Sequence, residues 1–144
     1  MGQQILVPVD GSPQSEKAFE YVLEEIPEPA ITLLHVINPV SVFAYAHGDE
    51  FDLEGYRRAE QRHREKAERM LEEHQERAAA RGLTVETVLT AGKPADRILE
   101  TVEDRDVDHV VMGSHGRSGV GRVLFGSVAE TVTRRSPVPV TIIR

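Results

Sequence analysis

The 144-residue chain carries 24 acidic against 17 Lys and Arg side chains, a formal net charge of -7, and no cysteine. That balance disfavours a nucleic-acid partner, whose binders concentrate Lys and Arg, and the missing thiols exclude disulfides, thiolate nucleophiles and cysteine metal sites. The length suits one domain spanning 1–144; no apolar stretch approaches a membrane span, and Met1-Gly2-Gln3-Gln4 lacks the basic and apolar regions of a signal peptide, so a cytoplasmic protein is expected.

The run Gln4 to Val9 is apolar, rich in β-branched residues and followed at once by the turn signal Asp10-Gly11-Ser12-Pro13, which predicts a first strand. Ser12 as N-cap and Pro13 as first helical residue open a helix with Ala18, Phe19, Val22, Leu23 and Ile26 on one face, stopped by Pro27 and Pro29. Ile31 to Ile37 reads as a second strand buried on both faces, with His35 hydrogen-bonded in place. Asn38 to Leu53 has no period and reads as a long loop of the kind that serves as a lid or binding element; His47, Asp49 and Glu50 within it read as polar loop rather than metal ligands.

From Gly55 to Arg81 the spacing predicts a charged helix closed by Gly82, with Glu60/Arg64, Glu65/Arg69 and Glu73/Arg77 in the favourable order four apart. Its charges read as a solvated face, and His63 and His74 as surface residues. Thr84 to Leu89 is a third strand, Gly92-Lys93-Pro94 leads into a short helix carrying Ile98, Leu99 and Val102, and His109 to Met112 is a fourth strand. Ser127 to Arg135 is a last helix and Val138 to Ile143 a fifth strand. Strands alternating with helices predict an α/β fold with a parallel sheet, right-handed crossovers and helices on both faces. Pro8 cannot donate to a ladder, so it fits a central strand only where pairing has ended.

Directly after Val110, Val111 and Met112 comes GSHGRSGVGRVLFGS, five glycines in fifteen residues. A strand-to-helix turn is where an open parallel sheet collects ligands. Gly113 and Gly116 would let the main chain approach an anion, Gly126 and Ser127 would present the positive end of the last helix, and Arg117 would add a charge, a combination suited to a polyphosphate. G-x-x-x-x-G-K-[ST] is absent, and G-x-G-x-x-G fails after Gly119-Val120-Gly121. Two ligand-free readings stand beside this one: a capping box of Ser127 and Glu130, and a flexible surface loop. His115 has no orienting partner visible in the sequence and reads as a main-chain or steric element. With no identifiable base, phosphate binding is expected rather than efficient hydrolysis.

Gly113-Ser114-His115-Gly116, then nine residues, then Gly126-Ser127, resembles the G-x-x-G-x9-G-[ST] motif of the nucleotide-binding branch of the universal stress protein family. The likeness continues through ILVPVDGS, LLHVINP, VVMGSHGRSG, GSVAETV and SPVPVTIIR. The resemblance implies an open five-stranded, Rossmann-like sheet ordered 3-2-1-4-5, an ATP between strands one and four, and a homodimer through the last strand. Carried onto these positions, it places Pro8, Val9 and Asp10 on the adenine and ribose side and the Val36 main chain near the base. Gly113, Ser114, His115, Gly116, Arg117, Ser118 and Gly119 would wrap ribose and phosphates, with Met112 packing and able to touch the sugar. Ser127, Val128 and Ala129, following Gly126, would bind the distal phosphates. Mg2+ or Mn2+ would be held mainly by the phosphates, with indirect help from Asp10.

His109 stands where the family usually has an apolar residue, and Gly121 adds freedom inside the motif. In the implied order Val138 to Ile143 is an edge without charge, open to a second copy except where Pro139 removes a donor. The function implied is a stress-linked, ATP-binding sensor or regulator; the alternatives are a slow ATP hydrolase and a nucleotide-free interaction protein.

Overall fold

The computed structural model describes residues 2–40, 42, 53–115 and 125–144. Along them run β1 (Gln4–Pro8), α1 (Pro13–Glu25), β2 (Ala30–Ile37), α2 (Leu53–Ala79), β3 (Val85–Ala91), α3 (Pro94–Asp104), β4 (His109–Gly113), α4 (Ser127–Arg135) and β5 (Val140–Ile143). The strands form one sheet, ordered β3-β2-β1-β4-β5 with every pairing parallel, as the resemblance implied. The start of α1 is as the sequence predicts: Ser12 caps it, its side chain accepting from Ser15 N–H, and Pro13 opens it. β5 begins two residues later than expected, because Pro139 offers its carbonyl to Val110 N–H (3.0 Å) but has no N–H to give. Of the predicted long loop, residues 41 and 43–52 lie outside the described residues; Val42 N–H donates to Asn38 O at 3.2 Å.

Successive strand residues face opposite sides, so each strand feeds two cores. Ile5, Val7, Ile31, Leu33 and Val111 pack with Phe19 and Val22 of α1 and with Leu71 and Ala78 of α2. On the other side, Leu6, Leu34, Val110 and Met112 pack with Ile98 and Val102 of α3 and with Ala129 and Val132 of α4. Burial on both faces is why the strands read as nearly unbroken apolar runs. Among the described residues no helix is long and apolar enough to cross a membrane.

The charged helix departs from its reading as a solvated face. Glu60 and Arg64 do pair, at 4.0 Å. Arg77, expected to pair with Glu73 one turn away, instead crosses to α1, where it binds Glu16 at 2.6 Å and Glu20, with its guanidinium 5.0 Å above the Phe19 ring. Arg81 continues the ladder to Glu20 (3.6 Å) and Glu24 (3.7 Å). Acidic residues every fourth position on α1 thus meet Arg77 in the last turn of α2 and Arg81 just beyond its end. The expectation that His74 is a surface residue is overturned: it is 1% exposed, because it shares the inward stripe of Ala67, Leu71 and Ala78 at spacings of three and four.

At the sheet edge, His109 Nε2 meets Thr141 Oγ1 at 2.7 Å across β4 and β5. Burial holds the imidazole below its ordinary pKa of 6.5. As the pH falls below that value the unfolded chain takes up a proton that the folded chain still refuses, so folding stability declines toward acid. His109→Val is expected to flatten the fall in urea midpoint between about pH 7 and 5; equal slopes in the two proteins would contradict this assignment.

Candidate functional site

The site is set by where two neighbouring strands stop pairing. β1 and β4 are in register only at Ile5 with His109 and Leu6 with Val110. β1 stays paired with β2 as far as Pro8 opposite Leu34, and Val9 N–H continues to Leu34 O at 2.8 Å. Pro8 therefore stands where pairing toward β4 has already ended, as its missing N–H requires. Beyond this point the strands part at their carboxyl ends, where the winding of the sheet reverses, which is the general ligand position of this architecture. His35 Nδ1–H donates to Val9 O at 2.7 Å, so the histidine expected to be satisfied in place also fixes the end of β1.

One wall is the turn from β1 into α1. Gly11 adopts φ +81°, a conformation that favours glycine. Asp10 Oδ1 accepts Ser12 N–H (2.9 Å), Ser12 Oγ accepts Ser15 N–H (3.2 Å), and Ser15 Oγ accepts Asp10 N–H (3.3 Å). These closed bonds hold the half-buried Asp10 in one orientation. The contribution of Ser15 was not read from the sequence, although a serine three residues after an N-cap serine is a signal for such a turn.

The opposite wall is the turn from β4 into α4. Ser114 N–H donates to Ile143 O (2.8 Å), prolonging β4 by one residue, and Gly126 N–H donates to Ser114 O at 2.6 Å. That bond joins the two ends of the glycine run. Gly126, not Ser127, is the N-cap and makes no side-chain cap bond; Ser127 is the first helical residue. The capping box is therefore not formed, and Glu130 bonds Arg134 instead (3.0 Å). The N–H groups of Ser127, Val128 and Ala129, in the first turn of α4, have no acceptor among the described residues. The Gly126 N–H is already occupied by Ser114, so the available donors begin at Ser127.

Gly113 has a packing reason to be glycine beside the expected approach to an anion. A Cβ there would stand 2.7 Å from Gln14 Cβ and 2.8 Å from the Gln14 carbonyl carbon, so its bareness lets the first turn of α1 pack onto β4. Ser114 is buried, and its Oγ lies 2.9 Å from His115 Nδ1, an orienting partner that the sequence did not reveal. Met112 and Val36 belong to the core on the α3 and α4 side. Gly116, Arg117, Ser118 and Gly119, together with His47, Asp49 and Glu50, lie outside the described residues. Among the described residues, no group of three His, Cys, Asp or Glu side chains could hold a metal ion. A groove at the opposite, amino end of the strands is lined by Glu28 and Glu86 and by no basic side chain, a poor seat for an anion.

The family model for the universal stress protein family matches residues 1–144. The chain is similar to the universal stress protein YxiE of Bacillus subtilis, at 30% identity over 151 aligned positions covering 100% of both chains. Among solved structures it is similar to the MJ0577 protein of Methanocaldococcus jannaschii, with a TM-score of 0.84, 28% identity and coverage of 99% of this chain and 96% of that one. A universal stress protein crystallised in complex with cAMP gives a TM-score of 0.65 at 25% identity, covering 99% of this chain and 97% of that one.

Because the contact at Gly113 is to backbone as well as side chain, Gly113→Ala is expected to lower folding stability by about 1–3 kcal/mol, measured by urea denaturation. An unchanged midpoint would remove helix packing as the reason for this glycine.

Proposed function

The chain belongs to the universal stress protein family, and from that premise we propose that it is an ATP-binding regulator whose nucleotide lies in the crevice between β1 and β4. The observation that carries this reading is the bond from Gly126 N–H to Ser114 O, which sets three amides of α4, without an acceptor among the described residues, beside the end of β4. A helix N-terminus without a capping side chain leaves its donors and the positive end of its dipole to a ligand, and phosphate suits both. Ser127, Val128 and Ala129 bind the distal phosphates, and Gly113 to Gly119 wraps ribose and phosphates. Pro8, Val9 and Asp10 line the adenine and ribose side, near the main chain of Val36. The relative crystallised with cAMP supports a purine nucleotide as ligand.

Mg2+ or Mn2+ would be held mainly by the phosphates. Asp10 fits a minor part in this, since its Oδ1 is engaged by Ser12 N–H. Binding and release of ATP, rather than rapid turnover, is the proposed signal of this stress-linked protein, because hydrolysis needs an aligned water and base together with charge stabilisation. His115, oriented by Ser114, favours slow hydrolysis as a second reading. We read residues 1–144 as one nucleotide-binding domain acting in the cytoplasm, as a homodimer paired along the uncharged edge strand β5.

Ser127→Pro tests the amide contact. Proline is tolerated at the first helical position, and Gly126 before it is already extended (φ -73°, ψ 165°), so the helix keeps its start while losing one donor and the hydroxyl. The expected result is native-like thermal stability with ATP affinity weakened about tenfold, and a smaller loss in Ser127→Ala, both by calorimetry. Full affinity in Ser127→Pro would contradict the placement. Native mass spectrometry of the purified protein should show bound adenine nucleotide, and bare protein with no thermal shift in Mg-ATP would contradict the reading. Light scattering should give the mass of two chains; a strict monomer would contradict the dimer.

A further inference from the structure

His74 is buried in a stripe otherwise occupied by Ala67, Leu71 and Ala78, where leucine would avoid the cost of desolvating a ring with two nitrogens. Its contacts are directional. Nδ1–H donates to Met70 O at 2.7 Å, and the ring meets Phe19 edge-on with centroids 4.7 Å apart. Nε2 lies 2.9 Å from Glu16 Oε1, at an angle outside hydrogen-bond geometry, so this is a polar contact and not a hydrogen bond. The other oxygen of Glu16 is held by Arg77 at 2.6 Å.

Both residues that the ring nitrogens meet lead to the same place. Glu16 is in the first turn of α1, and its N–H donates to Ser12 O at 3.1 Å. Met70 brings its Sδ to 3.7 Å from the position a Gly11 Cβ would take. One side chain therefore touches Glu16, whose N–H is bonded to Ser12 of the Asp10-Gly11-Ser12 turn, and the backbone of Met70, whose side chain lies over Gly11.

We infer that His74 is a positioning residue for the nucleotide site, bracing the Asp10-Gly11-Ser12 turn from behind through Glu16 and Met70. The effect on ligand affinity rests on the ATP reading above; the effect on the turn does not. A leucine of similar volume fills the space and keeps the helix bond from its own N–H to Met70 O, but it loses the second, side-chain bond to that carbonyl and the polar contact with Glu16 Oε1, so the turn loosens while the core stays filled.

The test uses the full chain with His74→Leu, His74→Gln and Glu16→Gln, and with Val102→Ala on the far face of the sheet as a control for lost stability. The readouts are Mg-ATP affinity by calorimetry and amide hydrogen exchange at Ser12 and Ser15, whose N–H groups are bonded within the turn. His74→Leu is expected to weaken ATP binding by about threefold to thirtyfold and to speed exchange at Ser12 and Ser15 but not at Leu6 and Val7. His74→Gln, which keeps a donor for Met70 O, should recover part of both losses, and Val102→Ala should show neither despite a lower Tm. Should His74→Leu fail to fold, Glu16→Gln decides, with the same effects expected. Native exchange at Ser12 and Ser15 in the folded variants would overturn the inference, whatever happens to affinity. A native chain that binds no ATP would overturn the nucleotide reading alone, leaving exchange to decide the brace.

Discussion

The bond from Gly126 N–H to Ser114 O is the constraint on which the candidate site depends. It closes the glycine run upon itself, so that α4 must begin beside the end of β4 rather than wherever the chain happens to return. It also consumes the amide of the N-cap residue, and the next three amides have no acceptor among the described residues. Burial of Ala129 and Val132 against Val110 and Met112 then fixes the direction in which that helix points. Both contacts hold the start of α4, where we propose that the phosphates bind.

The crevice needs a second constraint, the early parting of β1 from β4. Pro8 contributes by lacking a donor, and the bonds from Val9 N–H to Leu34 O and from His35 to Val9 O keep β1 aligned with β2 as it leaves β4. α1 can approach β4 across this gap only because Gly113 has no side chain. Of the glycines in the run, Gly113 is bare so that a helix can pack onto it, and Gly126 gives its N–H to the bond that precedes α4.

Much of this was legible in the sequence because the governing forces are local. Strand and helix identities follow from apolar period, and the cap of α1 from Ser12 and Pro13, since both depend on neighbours a few residues away. The strand order followed from the family resemblance, not from the residues alone. What the sequence hid was long-range pairing. Glu73 and Arg77 satisfy the rule for residues four apart, yet Arg77 finds two carboxylates on α1 and the face of Phe19, a better site than one exposed partner. His74 looked like one more polar residue of a charged helix until its spacing to Leu71 and Ala78 is weighed. Ser127 and Glu130 match a capping box, but the bond at Gly126 starts the helix one residue earlier than that motif assumes.

The most direct test of the site is an amide chemical-shift titration with Mg-ATP. Ser127, Val128 and Ala129 should move most among the amides of α4, with Gly126 moving less because its N–H remains bonded to Ser114. Shifts concentrated instead along the groove lined by Gln4, Gly82 and Glu86, or no shift at the start of α4 at saturating nucleotide, would contradict this expectation.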